Sequence, residues 1–232
     1  MVITLGAPLN LEQFIQIARF GAKIEFSPEY CSRVSRARQL IEKAISEDRV
    51  MYGVTTGFGS LSTRVINKEE AQQLQRNIVL SHSISVGEPY TKEQARATML
   101  MVLQNVGQGH SGVRLEVLEL LREMLNRDVT PWMPREGSVG YLSPEAHMAL
   151  VLIGEGQAYY QGELMPGKAA MEKAGLEPMP LAAKEGLALV SGTTSVTALA
   201  SLALYDMINA AKAADVIGSV SLEVLKGVMR AF

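Results

Sequence analysis

The sequence predicts a mainly α-helical fold, a bundle of long helices preceded by a loop-rich N-terminal region. Three observations carry this. Apolar residues recur at helical spacing through most of the chain. Helix-start patterns stand at Ser27-Pro28-Glu29, Thr91-Lys92-Glu93-Gln94 and Ser143-Pro144-Glu145. From Ser195 to Ala214 the chain is rich in Ala and Leu with few charges, the composition of a helix buried on most sides in a bundle or an oligomer core. The 232 residues read as one segment, loop-rich to about residue 140 and helical bundle from there on.

In order along the chain, Leu11, Phe14, Ile15 and Ala18 form one apolar stripe, so a helix is expected over Glu12 to Phe20. Asn10 or Thr4 caps it and Gly21 ends it. Ser27 caps the next helix, Pro28 suits its first position and Glu29 faces the positive end of the dipole. That helix should run to about Ser46 with Val34, Ala37, Leu40, Ile41 and Ala44 inward. Lys68 to Ser81, Thr91 to Gln108 and Gly112 to Asn126 read as three more. Thr130 to Gly137 is extended, because each proline removes a donor and disfavours helix in the residue before it. A helix restarts at Ser143 and is expected to reach about Gln157. Tyr159 to Met165 suits a hairpin arm or a turn, and Lys168 to Ala174 a short helix.

Composition narrows the class. Hydrophobic residues make up 47% and charged residues 20%, a globular balance. A net charge of −2 gives no electrostatic reason to expect nucleic acid or acidic membranes as partners. Cys31 stands alone and cannot close an internal disulfide, which points to a reducing compartment. Met1 to Asn10 lacks the basic start and sustained apolar core of a signal peptide, and Met148 to Ile153 is too short to span a bilayer. The expectation is a cytoplasmic protein. No two of the three histidines stand at metal-binding spacing, so no metal is expected. Gly53, Gly57 and Gly59 lack the following Lys-Ser/Thr of a phosphate loop.

Four motifs carry chemistry. They are Met51-Tyr-Gly-Val-Thr-Thr-Gly-Phe-Gly59, Gln75-Arg-Asn-Ile-Val-Leu-Ser-His-Ser83, Arg135-Glu-Gly-Ser-Val-Gly-Tyr-Leu-Ser-Pro-Glu-Ala-His147, and Leu187-Ala-Leu-Val-Ser-Gly-Thr-Thr-Ser195. In this order they resemble the segments of the histidine/phenylalanine ammonia-lyase family, whose fold is a long-helix bundle of the aspartase/ammonia-lyase type. The resemblance covers most of the chain from about residue 30 onward. It stops at Met229-Arg230-Ala231-Phe232 in mid-passage, so the family's C-terminal half, with its carboxylate-binding arginine, is expected outside this sequence.

The resemblance implies a carbon–nitrogen lyase acting on a small-molecule amino acid, histidine by preference, and assembled as a homotetramer. The β-proton to be removed is barely acidic and ammonia leaves poorly, so the chemistry needs a base and an activated amine. By resemblance the base is Tyr52 in the loop that ends at Gly59. Read on its own, Tyr52 suits an interior aromatic whose hydroxyl finds a backbone partner. A phenol titrates near about pH 10, so the base role needs cations or donors beside it. Ser81-His82 resembles the pair of family members that act on imidazoles, and an imidazole at His82 can exchange a hydrogen bond with the substrate ring. The other reading of His82 is a satisfied histidine at a helix end.

The departures concern the prosthetic group. The family writes Ala-Ser-Gly after Gly-Ser-Val-Gly, and that tripeptide cyclises into 4-methylidene-imidazol-5-one, or MIO. Here Gly140 is followed directly by Tyr141. Ser191 stands where the family has the Asn that contacts MIO, and Tyr141 where it has Asp. Two readings follow. Either the matured group is not spelled in the one-letter sequence, or the chain resembles the ergothionase-like branch, which eliminates trimethylamine from a histidine betaine without MIO. A non-catalytic member that keeps the pocket is the third possibility.

Overall fold

The computed structural model describes residues 1–57, 68–228 and 230. It opens with a parallel pair, β1 (Val2–Leu5) and β2 (Lys23–Phe26), joined by α1 (Leu11–Ala18). Ile3, Leu5 and Ile24 alternate inward, the period of a half-buried strand. Asn10 caps α1 through a reciprocal box with Gln13. Helix α2 (Pro28–Ser46) begins on the Ser27 cap, as its sequence predicts. Leu40, expected inward, is 66% exposed, because the inward stripe of α2 narrows to Val34, Ala37, Arg38, Ile41 and Ala44.

Helices α3 (Lys68–His82), α4 (Lys92–Val106) and α5 (Leu115–Asn126) follow, α4 on its Thr91–Gln94 capping box. Helix α4 is the centre of the core and is buried from Ala95 to Leu100 without interruption. Tyr30 ties α2 to it by donating to the Leu103 carbonyl at 2.7 Å. The part before Gly140, expected to be loop-rich, thus holds α1 to α5 together with short strands. Of these, β3 (Val86–Pro89) pairs antiparallel with β5 (Pro134–Glu136), and β4 (Thr130–Pro131) joins a small antiparallel sheet with β6 (Gln157–Tyr160) and β7 (Glu163–Pro166).

Helix α6 (Ser143–Leu152) starts where the sequence places it but ends before Gln157. Gly154 and Gly156 both take positive φ, which breaks the helix and turns the chain into β6, so that Gln157 is a strand residue. Helices α7 (Gly167–Lys173) and α8 (Glu185–Val190) lead to α9 (Thr194–Val224). The start of α8 is fixed by the fully buried Glu185, which accepts from Arg114 Nε at 2.7 Å, Arg114 Nη2 at 2.8 Å and the Ala182 amide at 2.6 Å. Helix α9 is longer than its sequence pattern suggests. Thr194, Ser195, Ala198 and Leu202 are buried, Tyr205 packs half-buried against the core beneath Arg19, Arg19 also pairs with Asp206, and from Met207 on the helix is exposed. By length and composition alone the stretch Glu185–Val224 is apolar enough to cross a membrane.

Candidate active site around the Gly140–Tyr141 junction

The C-terminal turn of α3 carries Ser81 and His82. Ser81 Oγ donates to the Ile78 carbonyl at 2.9 Å, and His82 Nδ1 lies 2.8 Å from the same oxygen. Nδ1 also lies 3.1 Å from Ser81 Oγ, so the last turn of its own helix holds the ring in orientation. Three residues on, the buried Ser85 amide donates to Ser143 Oγ at 3.1 Å, and the two hydroxyls are 2.7 Å apart. The end of α3 is thereby pinned to the start of α6.

Between Glu136 and Ser143 the chain makes a tight loop. Ser138 Oγ donates to the Tyr141 carbonyl at 2.9 Å and accepts from the Gly140 amide at 3.1 Å. Gly140 has φ of 98°, and a Cβ there would stand 2.8 Å from Val196 Cγ2, so the position takes glycine. Leu142 has φ 70° and ψ −62°, and the Ser143 amide donates to the Tyr141 carbonyl at 3.0 Å. This is a γ-turn of the rare positive-φ kind, a strained conformation worth on the order of 1–3 kcal/mol. Gly140 reaches α6 through the shortest turn a chain can make.

Glu145 sits in the first turn of α6, fully buried. Its Oε1 accepts from Thr194 Oγ1 at 2.6 Å and from the Ser195 amide at 2.8 Å, at the start of α9. Ser195 Oγ donates to the Gly140 carbonyl at 3.0 Å. Ser191, exposed at the end of α8, leads into Gly192 and this same helix start. Tyr141 is exposed beside it. On the far side of α6, His147 meets Trp132 edge-on with ring centres 6.1 Å apart. Burial lowers its pKa, opposed by a backbone bond to Ser85.

The structure thus joins Ser81, His82, Gly140, Tyr141 and the Ser191–Ser195 stretch in one region. Tyr52 lies in a turn, 60% exposed, closed by Thr55, whose hydroxyl accepts from the Met51 amide at 2.8 Å and donates to the Arg49 carbonyl at 2.6 Å. Gly53 fits against Leu187, which seats this turn on α8. Gly59 lies outside the described residues. Sequence reasoning missed Ser85, Leu142 and the buried roles of Glu145 and Ser195. Glu145 read only as a first-turn acid, since nothing in a single helix start shows what a neighbouring helix will donate to it.

The residues present do not fit MIO formation at this junction. The ring needs a serine and a glycine nitrogen between Gly140 and Tyr141, and the peptide bond there is direct. Among the described residues no three His, Cys, Asp or Glu side chains gather as a metal site.

The fold is thus a helical core that carries a glycine loop held between the starts of two helices. The chain belongs to the aromatic amino acid lyase family, which residues 9–232 match. It is 45% identical over 230 residues to histidine ammonia-lyase of Alkaliphilus metalliredigens, covering 98% of this chain and 45% of that protein. Its fold is similar to that of histidine ammonia-lyase from Trypanosoma cruzi, with a TM-score of 0.93 and 35% identity over 98% of this chain and 45% of the other. Ergothionase from Treponema denticola, solved with desmethyl-ergothioneine sulfonic acid, gives 0.92 and 32% identity over 98% and 46%. The chain therefore spans about half the length of the relatives it matches.

Proposed function

We propose that this segment belongs to a carbon–nitrogen lyase that eliminates an amine from histidine or a histidine derivative to give a urocanate-like acrylate. The observation that supports this best is the placing of His82. Its ring is oriented by the Ile78 carbonyl, and its helix end is pinned through Ser85 and Ser143 to the Gly140–Tyr141 loop. An imidazole substrate lying between them would meet His82 at its ring and the loop at its amine. Tyr52 takes the β-proton, the C–H electron pair becomes the Cα=Cβ bond, and the C–N pair leaves with the amine. The exposed apolar length of α9 supports a homotetramer, since such a surface calls for protein partners; light scattering of the intact protein tests this. A cytoplasmic location agrees with the lone Cys31.

A second reading of the leaving group is favoured by the direct Gly140–Tyr141 bond and the strained turn at Leu142. Without an electrophile to activate a primary amine, the amine must arrive activated, as a trimethylammonium that departs as trimethylamine. Supplying histidine and the trimethylated, thiolated histidine separately to the intact protein, and following the absorbance of the conjugated product, decides between them. Tyr52→Phe is expected to lower turnover roughly a hundredfold or more, and His82→Leu to weaken imidazole substrates selectively. Intact mass decides the prosthetic group independently, because an added Ala-Ser-Gly less two waters would reveal it. No product from either substrate would leave the non-catalytic reading standing.

A further inference from the structure

Gln75 is fully buried in α3, about two turns before His82 on the same side of that helix. Its Oε1 accepts from the Leu187 amide at 3.2 Å, while its Nε2 is buried with no hydrogen-bond partner among the described residues. Leu187 stands in the first turn of α8, and Lys184 before that helix gives no side-chain cap, so the Leu187 amide is one the helix itself leaves unsatisfied. Gln75 caps α8 from another helix. The penalty for stranding a buried donor exceeds what such a cap contributes, so stability alone does not account for a glutamine here. The packing around it is close. A Cβ at Gly186 would stand 2.6 Å from the Gln75 carbonyl oxygen, so α8 lies directly on α3. On the Tyr52 turn, a Cβ at Gly53 would collide with Leu187 Cδ2, and Gly53 has φ of 67°, which also favours glycine. Leu187 therefore touches α3 with its amide and the Tyr52 turn with its side chain. Glu185, two residues earlier, is bonded to Arg114 and keeps α8 from drifting.

We propose that Gln75 is a positioning residue: through Leu187 it sets where the Tyr52 turn stands relative to α3, and so to His82. The inference rests on the reading above that Tyr52 removes the β-proton of a substrate whose ring lies at His82. In that reaction the base and the ring anchor belong to different elements, and their separation decides whether the phenol oxygen reaches the β-hydrogen. Across the fold the link runs from Gln75 to Leu187 and from Leu187 to Gly53, next to Tyr52. A displacement of about 1 Å in such an arrangement costs on the order of a hundredfold in rate.

Gln75→Leu keeps the bulk and removes the acceptor, whereas Gln75→Glu keeps an acceptor oxygen at the same reach. In the intact protein Gln75→Leu should lower kcat about tenfold or more and leave KM within about twofold, because Ser81 and His82 stay in place. That variant should also show a large β-deuterium isotope effect on kcat, since a displaced base makes C–H cleavage the slow step. A fold that is merely loosened loses active protein without changing which step is slow. Gln75→Glu should restore most of kcat. Hydrogen exchange reads the link without turnover. The amides of Val54, Thr55 and Thr56, which donate to the Met51 carbonyl, should exchange about tenfold faster in Gln75→Leu, while those of α5 keep their rates. Unchanged exchange in the turn, an isotope effect near unity in Gln75→Leu, or Gln75→Glu as slow as Gln75→Leu would overturn the proposal. Gly53→Ala strains the same contact from the Tyr52 side and should reproduce the faster exchange and the loss of kcat, so refutation stays open even should Gln75→Leu fail to fold. Should the unmodified protein turn over neither substrate, the reading of the reaction fails, and the exchange rates alone decide whether Gln75 holds the turn.

Discussion

Helices α4 and α9 pack against each other and both are apolar around most of their circumference, yet their fates differ. Helix α4 is enclosed by α1, α5, α6, α8 and α9, and its residues from Ala95 to Val106 are mostly buried. Helix α9 is 31 residues long, roughly 46 Å at helical rise, and is exposed from Met207 onward. All-round apolarity thus states how many neighbours a helix requires, not where they come from. In α4 they come from this segment; from Met207 onward the described residues leave α9 exposed.

The largest effect that would test this contrast is at Leu103, fully buried in α4. Leu103→Ala should destabilise the chain by about 2–5 kcal/mol in urea unfolding. A loss under about 1 kcal/mol would mean α4 is not the packed centre it looks to be. Next comes a pH effect where α6 borders the same core. His147 has its pKa lowered by burial, with its backbone bond to Ser85 opposing. The unfolded chain then binds a proton that the folded chain resists. Stability should hold above about pH 6.5, the ordinary histidine value, and fall as pH drops below it toward the lowered folded value. His147→Phe should flatten that slope; an unchanged slope assigns it to other groups.

A smaller effect separates the two helix starts. Thr91 caps α4 within its own box, so Thr91→Ala should cost about 1 kcal/mol. Thr193 makes no side-chain cap for α9, whose start is held by Glu145 instead, so Thr193→Ala should stay within about 0.5 kcal/mol. Equal losses at the two positions would show that α9 is capped locally after all.

The same local and non-local split decides what could be read from sequence. Starts such as Ser27-Pro28, Asn10 and Thr91 are short-range chemistry, and the structure places them where the residues do. The parallel pairing of β1 with β2 and the helix α8 were not legible. The strands are four residues each and pair across α1, and α8 owes its start to Arg114 and Glu185, far apart in the chain. At the candidate site, Ser81-His82 and Gly140 announced themselves by motif. The Ser85–Ser143 pair and the Glu145–Ser195–Gly140 relay did not, because each joins residues about fifty or more apart that have no pattern until the helices meet.

The smallest effect is expected on α9 itself. Met207 is 68% exposed, so truncating it in this 232-residue chain returns almost no apolar surface to water. Alanine is also the better helix former, which offsets what little contact is lost. Met207→Ala should therefore change stability by no more than about 0.5 kcal/mol in either direction. Leu103→Ala, an equally drastic truncation on the neighbouring helix, should cost several times that. Urea unfolding of both variants side by side reads the difference directly. A loss of about 2 kcal/mol or more at Met207 would mean that α9 is already covered in solution, as a second copy lying on it would do. Light scattering on the same sample would then identify the cover, and the contrast between the two helices would become one of which chain supplies the neighbours.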